Sequence, residues 1–143
     1  LFFGTMISYA QGLALLFVAS KEYDMDIPLP KVVKIWRGGC IIRSTLLEIF
    51  YQAYAANPEL SNILLDSHIA TMLKSKTANT RKFIATAVQS GIPVSALAVS
   101  LGYFDAYRSA VMPTNLIQAQ RDFFGAHTYQ RIDEEGIFHS NWQ

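Results

Sequence analysis

The first twenty residues of this chain carry no charged side chain, and that stretch limits the available folds more than any other. A helix of about 20 residues is about 30 Å long. It can cross a bilayer or form the centre of a helical core. Phe2, Met6, Tyr9, Leu13, Leu16 and Phe17 recur at helical spacings, which predicts a helix over residues 1–23. Thr5, Ser8, Tyr9, Gln11 and Ser20, with Gly4 and Gly12, favour a buried core helix over a membrane span. No second span follows. Apolar on nearly every side, this helix should sit at the centre of the domain.

The 143 residues suit one domain with a substantial core. Charged residues make up 16% of the chain, below the usual proportion of about 25%, and 51% of residues are hydrophobic. This argues against disorder and for apolar surface that something else covers. The net charge is +1 and the basic residues are scattered, so there is no basic stripe of the kind nucleic acid requires. A single cysteine, Cys40, rules out an intrachain disulfide framework and a cysteine-based metal cluster. It agrees with a reducing, cytoplasmic compartment. The sequence opens on Leu1 without a basic leader, and it reads as a piece of a longer or processed protein.

Further along, Pro28 and Pro30 mark a loop and then a helix start. A short helix is expected over Lys31–Trp36, ended by Gly38-Gly39. A second runs from about Cys40 to Ala55, with Ile42, Leu46, Ile49 and Phe50 facing the core. Asn57-Pro58 has the form of a cap and first-turn proline that open a helix. Residues 66–90 read as helical, with Lys74–Lys82 either an exposed face or a break, and Gly91 as a stop. Val94–Ala110 forms another helix, with Asp105 and Arg108 spaced for a surface ion pair.

Pro113 opens a last helix whose apolar side is Leu116, Ile117, Phe123 and Phe124. Arg121 lies at the margin of that side and Asp122 on the far side, and Gly125 is the stop. No segment alternates as a strand. The expected fold is all-α, with five to seven helices forming one domain over residues 1–129 and an irregular tail over 130–143.

Motifs for nucleotide binding, hydrolysis and zinc are absent. His68, His127 and His139 share no ligand spacing, so no metal site is expected. In Trp36-Arg37-Gly38-Gly39-Cys40-Ile41-Ile42-Arg43-Ser44, the arginines could hold an anion. Tight packing at the glycines, with the arginines on carboxylates, is the favoured reading. Cys40 reads as a small buried hydrophobe. Arg121 and His127 straddle the last helix end. The arginine fork suits phosphate or carboxylate, and a histidine can donate to the same oxygens, more strongly when protonated. On residue types alone, an anion site and a helix-capping arginine beside an incidental histidine remain equally open.

Four segments together resemble the C-terminal helical domain of the decarboxylating 6-phosphogluconate dehydrogenase family. They are Ile7-Ser8-Tyr9-Ala10-Gln11-Gly12, the Trp36–Ser44 motif, Asn57-Pro58-Glu59-Leu60, and the long run Leu116–Tyr129. Tyr103, Asp105, Tyr107 and Arg108 before Pro113 fit the same pattern. The resemblance covers nearly the whole chain.

It implies an NADP-dependent oxidative decarboxylase of the pentose phosphate pathway, active on 6-phosphogluconate as a homodimer. It places the NADP domain and the catalytic lysine and glutamate upstream, leaving no catalytic residue in this segment. It assigns Arg121 and His127 to the 6-phosphate in the partner subunit's site, and scaffold and dimer contacts to the rest. The uncharged first helix becomes a central helix rather than a span, and no membrane or nucleic acid is implied as a partner. A non-enzymatic helical oligomerisation module is the alternative reading. Many family members continue past the Asn-Trp pair, whereas this chain stops at Gln143.

Overall fold

A computed structural model describes residues 1–142. They form six α-helices and one 3-10 turn: α1 (Phe2–Glu22), α2 (Leu29–Arg37), α3 (Leu46–Ala56), the turn Ile63–Leu65, α4 (Ser67–Gln89), α5 (Ser95–Tyr107) and α6 (Asn115–Gly125). The only β pairing among the described residues is an isolated antiparallel bridge between Tyr129 and Phe138. The all-α expectation holds. The chain divides into two compact units, Leu1–Asp105 and Ala106–Gln143.

The first unit is built on α1. Phe3, Met6, Ile7, Ala10 and Leu13 are buried along it, so the uncharged stretch serves as a core element. By length and composition alone α1 could cross a membrane. Its buried face meets Leu47, Phe50, Ile63, Ile69 and Leu73 in one cluster. Burying each such side chain contributes about 1.5–3 kcal/mol relative to exposure. Phe3 meets Phe104 edge-on at 5.5 Å between ring centroids, and Tyr9 meets Phe50 at 5.4 Å. Gly4 marks a close approach, where a Cβ would stand 2.7 Å from Leu97 Cδ2 and that side chain would have to shift.

Local signals set most of the helix ends. Pro30 lies in the first turn of α2, and Asp66 caps α4 by accepting the Ile69 N–H at 2.9 Å. α4 runs unbroken through Lys74–Lys82, which settles that stretch as a helix face.

Two expected helix starts are corrected. The helix predicted from Cys40 begins at Leu46. Residues 40–45 form a turn in which Arg43 N–H donates to the Cys40 carbonyl at 3.0 Å. No α-helix begins at Pro58. Asn57 Oδ1 accepts the Glu59 N–H at 3.1 Å instead, a local turn that competes with helix. The working cap is Asn62, which is buried. Its Oδ1 accepts the Leu64 N–H at 2.9 Å and its Nδ2 donates to Tyr103 Oη at 3.1 Å.

Around the two glycines, Arg37 pairs with Glu48, in line with the packing reading. Cys40, expected to be buried, is exposed, because it lies in the turn rather than on the inner face of a helix.

Candidate functional site

The second unit holds the Arg121–His127 segment, and α6 is inverted relative to expectation. Leu116, Ile117, Phe123 and Phe124 are exposed, so they do not anchor the helix within this chain. The buried residue of α6 is Asp122, at 0% exposure. Periodicity identified two faces correctly and assigned the wrong one to the interior, because the interior here is polar.

Asp122 gathers donors from well beyond the helix. Its Oδ1 accepts the Thr128 N–H at 2.9 Å and faces His139 Nδ1 at 2.8 Å. Its Oδ2 accepts the Ser140 N–H at 3.0 Å and the Trp142 indole N–H at 2.9 Å. Burial alone would push this carboxyl up. The hydrogen bonds from His139, Ser140, Trp142 and Thr128 outweigh that and hold it well below the usual carboxylate range.

The helix stop also differs in detail. Gly125 is still helical, and the left-handed residue is Ala126, at φ 48°. Gly125 leaves room for the ring in its present place, since a Cβ there would stand 2.8 Å from His127 Cδ2 and Nε2. The absence of that side chain lets the imidazole lie against the helix end, edge-on to Phe124 at 6.1 Å.

Thr128 follows with φ 60°, an uncommon conformation for a β-branched residue. Both of its backbone polar groups are held. The N–H goes to Asp122, and the carbonyl accepts from Gln118 Nε2 at 2.5 Å. The other end of the Gln118 amide, Oε1, accepts from Arg121 Nη1 at 3.1 Å. One glutamine therefore ties the Arg121 guanidinium to the backbone just past His127.

Both expected site residues are exposed. Among the described residues Gln118 is the one hydrogen-bond partner of Arg121, and no carboxylate pairs with it. Neither ring nitrogen of His127 has a hydrogen-bond partner among the described residues. The carboxylate next in sequence to Arg121 is fully engaged elsewhere. What remains is an arginine fork and an imidazole, exposed on either side of one helix end, with the arginine tied through the Gln118 amide to the Thr128 carbonyl. That arrangement suits an oxyanion such as phosphate. Sequence reasoning missed Gln118 and Asp122. Gln118 lies three residues before Arg121 on the same helix, a spacing that could have signalled it. No local signal marks Asp122.

The family model for 6-phosphogluconate dehydrogenase, C-terminal domain, matches residues 1–142. The chain belongs to this family. It is 49% identical over 142 residues to the NADP(+)-dependent, decarboxylating 6-phosphogluconate dehydrogenase of Bacillus subtilis, covering 99% of this chain and 30% of that protein. Identity to the decarboxylating 6-phosphogluconate dehydrogenase of Escherichia coli is 48% over the same length and shares. The solved Plasmodium falciparum 6-phosphogluconate dehydrogenase superposes with a TM-score of 0.90 at 42% identity, covering 99% of this chain and 30% of that one. That protein is described in its apo form, with its cofactor NADP+ and with its substrate 6-phosphogluconate. The chain thus spans about a third of the length of the relatives it matches. Within the 6-phosphogluconate dehydrogenase family it corresponds to the helical C-terminal part.

Proposed function

We propose that this chain is the scaffold and phosphate-binding part of a decarboxylating, NADP-dependent 6-phosphogluconate dehydrogenase that works as a homodimer in the cytoplasm. Arg121 and His127 hold the 6-phosphate of the substrate, and they do so in the partner subunit's site. The carrying observation is the outward presentation of Arg121, steadied by Gln118 and facing no carboxylate among the described residues. The exposed apolar residues of α6 support the partnership with a second copy, since such a patch on a soluble chain marks a surface that becomes covered.

NADP belongs to the rest of the protein in this reading. The described residues contain no strand–turn–helix unit of the kind that cradles a dinucleotide, so no step of the oxidation is assigned to them. Their part is to bind and orient the phosphate end of the substrate while the chemistry proceeds at the other end.

In the full-length protein, Arg121→Ala should raise KM for 6-phosphogluconate by roughly 10- to 150-fold, the equivalent of about 1.5–3 kcal/mol for a charged hydrogen bond. KM for NADP should stay within about twofold, because additivity holds for distant sites. The phosphate role fails if affinity for a phosphate-free gluconate analogue drops by the same factor.

A further inference from the structure

Phosphate binding as proposed uses Arg121 and His127 and leaves the most heavily hydrogen-bonded group of the second unit without a task. We infer that Asp122 is a positioning residue: its buried carboxylate fixes the loop that carries His127, and makes the phosphate site depend on the tail at residues 139–142 being docked. The inference rests on the phosphate reading of Arg121 and His127 and adds to it the group that holds the site in shape.

The geometry has two sides that meet on one carboxylate. On the loop side, Asp122 Oδ1 accepts the Thr128 N–H at 2.9 Å, one residue past His127. On the tail side, His139 Nδ1 shares that oxygen at 2.8 Å, while the Ser140 N–H and the Trp142 indole N–H bind Oδ2 at 3.0 and 2.9 Å. Trp142 is further seated edge-on against Phe123, with ring centroids 5.8 Å apart. Tyr129 Oη and Ser140 Oγ lie 2.7 Å apart, joining the same loop to the same tail.

The loop needs such a clamp. His127 stands between Ala126 at φ 48° and Thr128 at φ 60°, two left-handed residues with side chains. Each is costly by itself and persists only where the surroundings impose it. Asp122 on the Thr128 N–H and Gln118 on the Thr128 carbonyl supply that imposition. Because the Gln118 amide also receives Arg121, a shift of Thr128 moves both phosphate-binding side chains. If the tail leaves, the carboxylate loses three of its four donors. A buried carboxylate in that condition must hydrate or take up a proton, and either change loosens its hold on Thr128.

The test uses steady-state kinetics of the full-length protein with Asp122→Asn, alone and combined with Arg121→Ala. The carboxamide keeps the shape but turns an N–H₂ toward donors, so it can satisfy only one side. Asp122→Asn should raise KM for 6-phosphogluconate about tenfold, the scale of one lost hydrogen bond to a charged group, with KM for NADP unchanged. In the Arg121→Ala background it should add less than about twofold, because residues acting through one site are non-additive.

Full additivity would show that the carboxylate only holds the fold and would overturn the inference. Trp142→Phe keeps the ring on Phe123 and removes one N–H. It should raise the same KM about two- to fivefold, a smaller effect because the other three donors stay on the carboxylate. Should Asp122→Asn fail to fold, an unchanged KM in Trp142→Phe overturns the inference. A normal KM in Arg121→Ala would instead remove the phosphate reading beneath it.

Discussion

The two units of this chain are held together by opposite means. In Leu1–Asp105, Phe3, Met6, Ile7, Leu13, Leu47 and Phe50 are shut from solvent, and the buried polar side chains Asn62 and Ser100 are hydrogen-bonded to their surroundings. In Ala106–Gln143, α6 turns Leu116, Ile117, Phe123 and Phe124 outward and buries a carboxylate. The first unit closes an apolar core from solvent, although Leu15, Ile35, Ile41 and Phe83 lie on its surface. Around α6 the second unit buries a carboxylate instead, and its order there comes from directed hydrogen bonds. An apolar core tolerates change in detail and resists change in volume. A polar hub has little bulk to lose and depends on every donor being in place.

The largest effect should come from the first unit. Phe50 is fully buried, and Phe50→Ala should cost about 3–5 kcal/mol of stability, as large-to-small changes in packed cores do. Urea unfolding measures it, and a loss under about 1 kcal/mol would mean that the unit does not rest on its apolar core.

Acid should separate the two units next. The Asp122 carboxyl lies below its ordinary value in the folded chain, so its contribution is complete above the unfolded value of about 3.9. That contribution is lost only as pH falls further, through the folded value. Docking of the tail should therefore survive at pH 4 and fail in stronger acid. Fluorescence of Trp142 in a Trp36→Phe background follows it. Release at pH 5 or above would contradict the hub.

The smallest effect is confined to one side chain. Gly125→Ala places a methyl where the His127 ring now lies. The ring can swing away, so stability should change by less than about 1 kcal/mol, within the range of surface substitutions and helix propensity. KM for 6-phosphogluconate should still rise severalfold, about what a weakened hydrogen bond costs. Equal KM values for the two proteins would show that the position of His127 is not set by Gly125.

Much of the architecture was legible. The apolar repeat of α1, the Pro30 start of α2 and the Asp66 cap of α4 are local signals, and the helices follow them. The signals at Cys40 and at Asn57-Pro58 were also local, yet they led to turns. In one, a carbonyl–amide bond closes the chain on itself at Cys40–Arg43. In the other, the Asn57 side chain bonds the Glu59 backbone before any helix forms. The pair Arg121 and His127 could be chosen from residue types and resemblance. Asp122 could not, because three of its four donors lie 17, 18 and 20 residues away in a tail without periodicity.

Sequence alone determined that the chain is helical, where most helices lie and which family it resembles, and it singled out Arg121 and His127 as the candidate pair. Those properties depend on neighbours three or four residues apart or on patterns kept in linear order. Which face of α6 turns inward was decided only in three dimensions. An amphipathic pattern states that two faces differ, while the identity of the buried one depends on what the rest of the chain brings to it. Here the tail brings four atoms' worth of polar partnership less one, the fourth donor coming from the loop itself. A carboxylate so surrounded can stay buried and charged, because its hydrogen bonds offset the cost of taking it out of water.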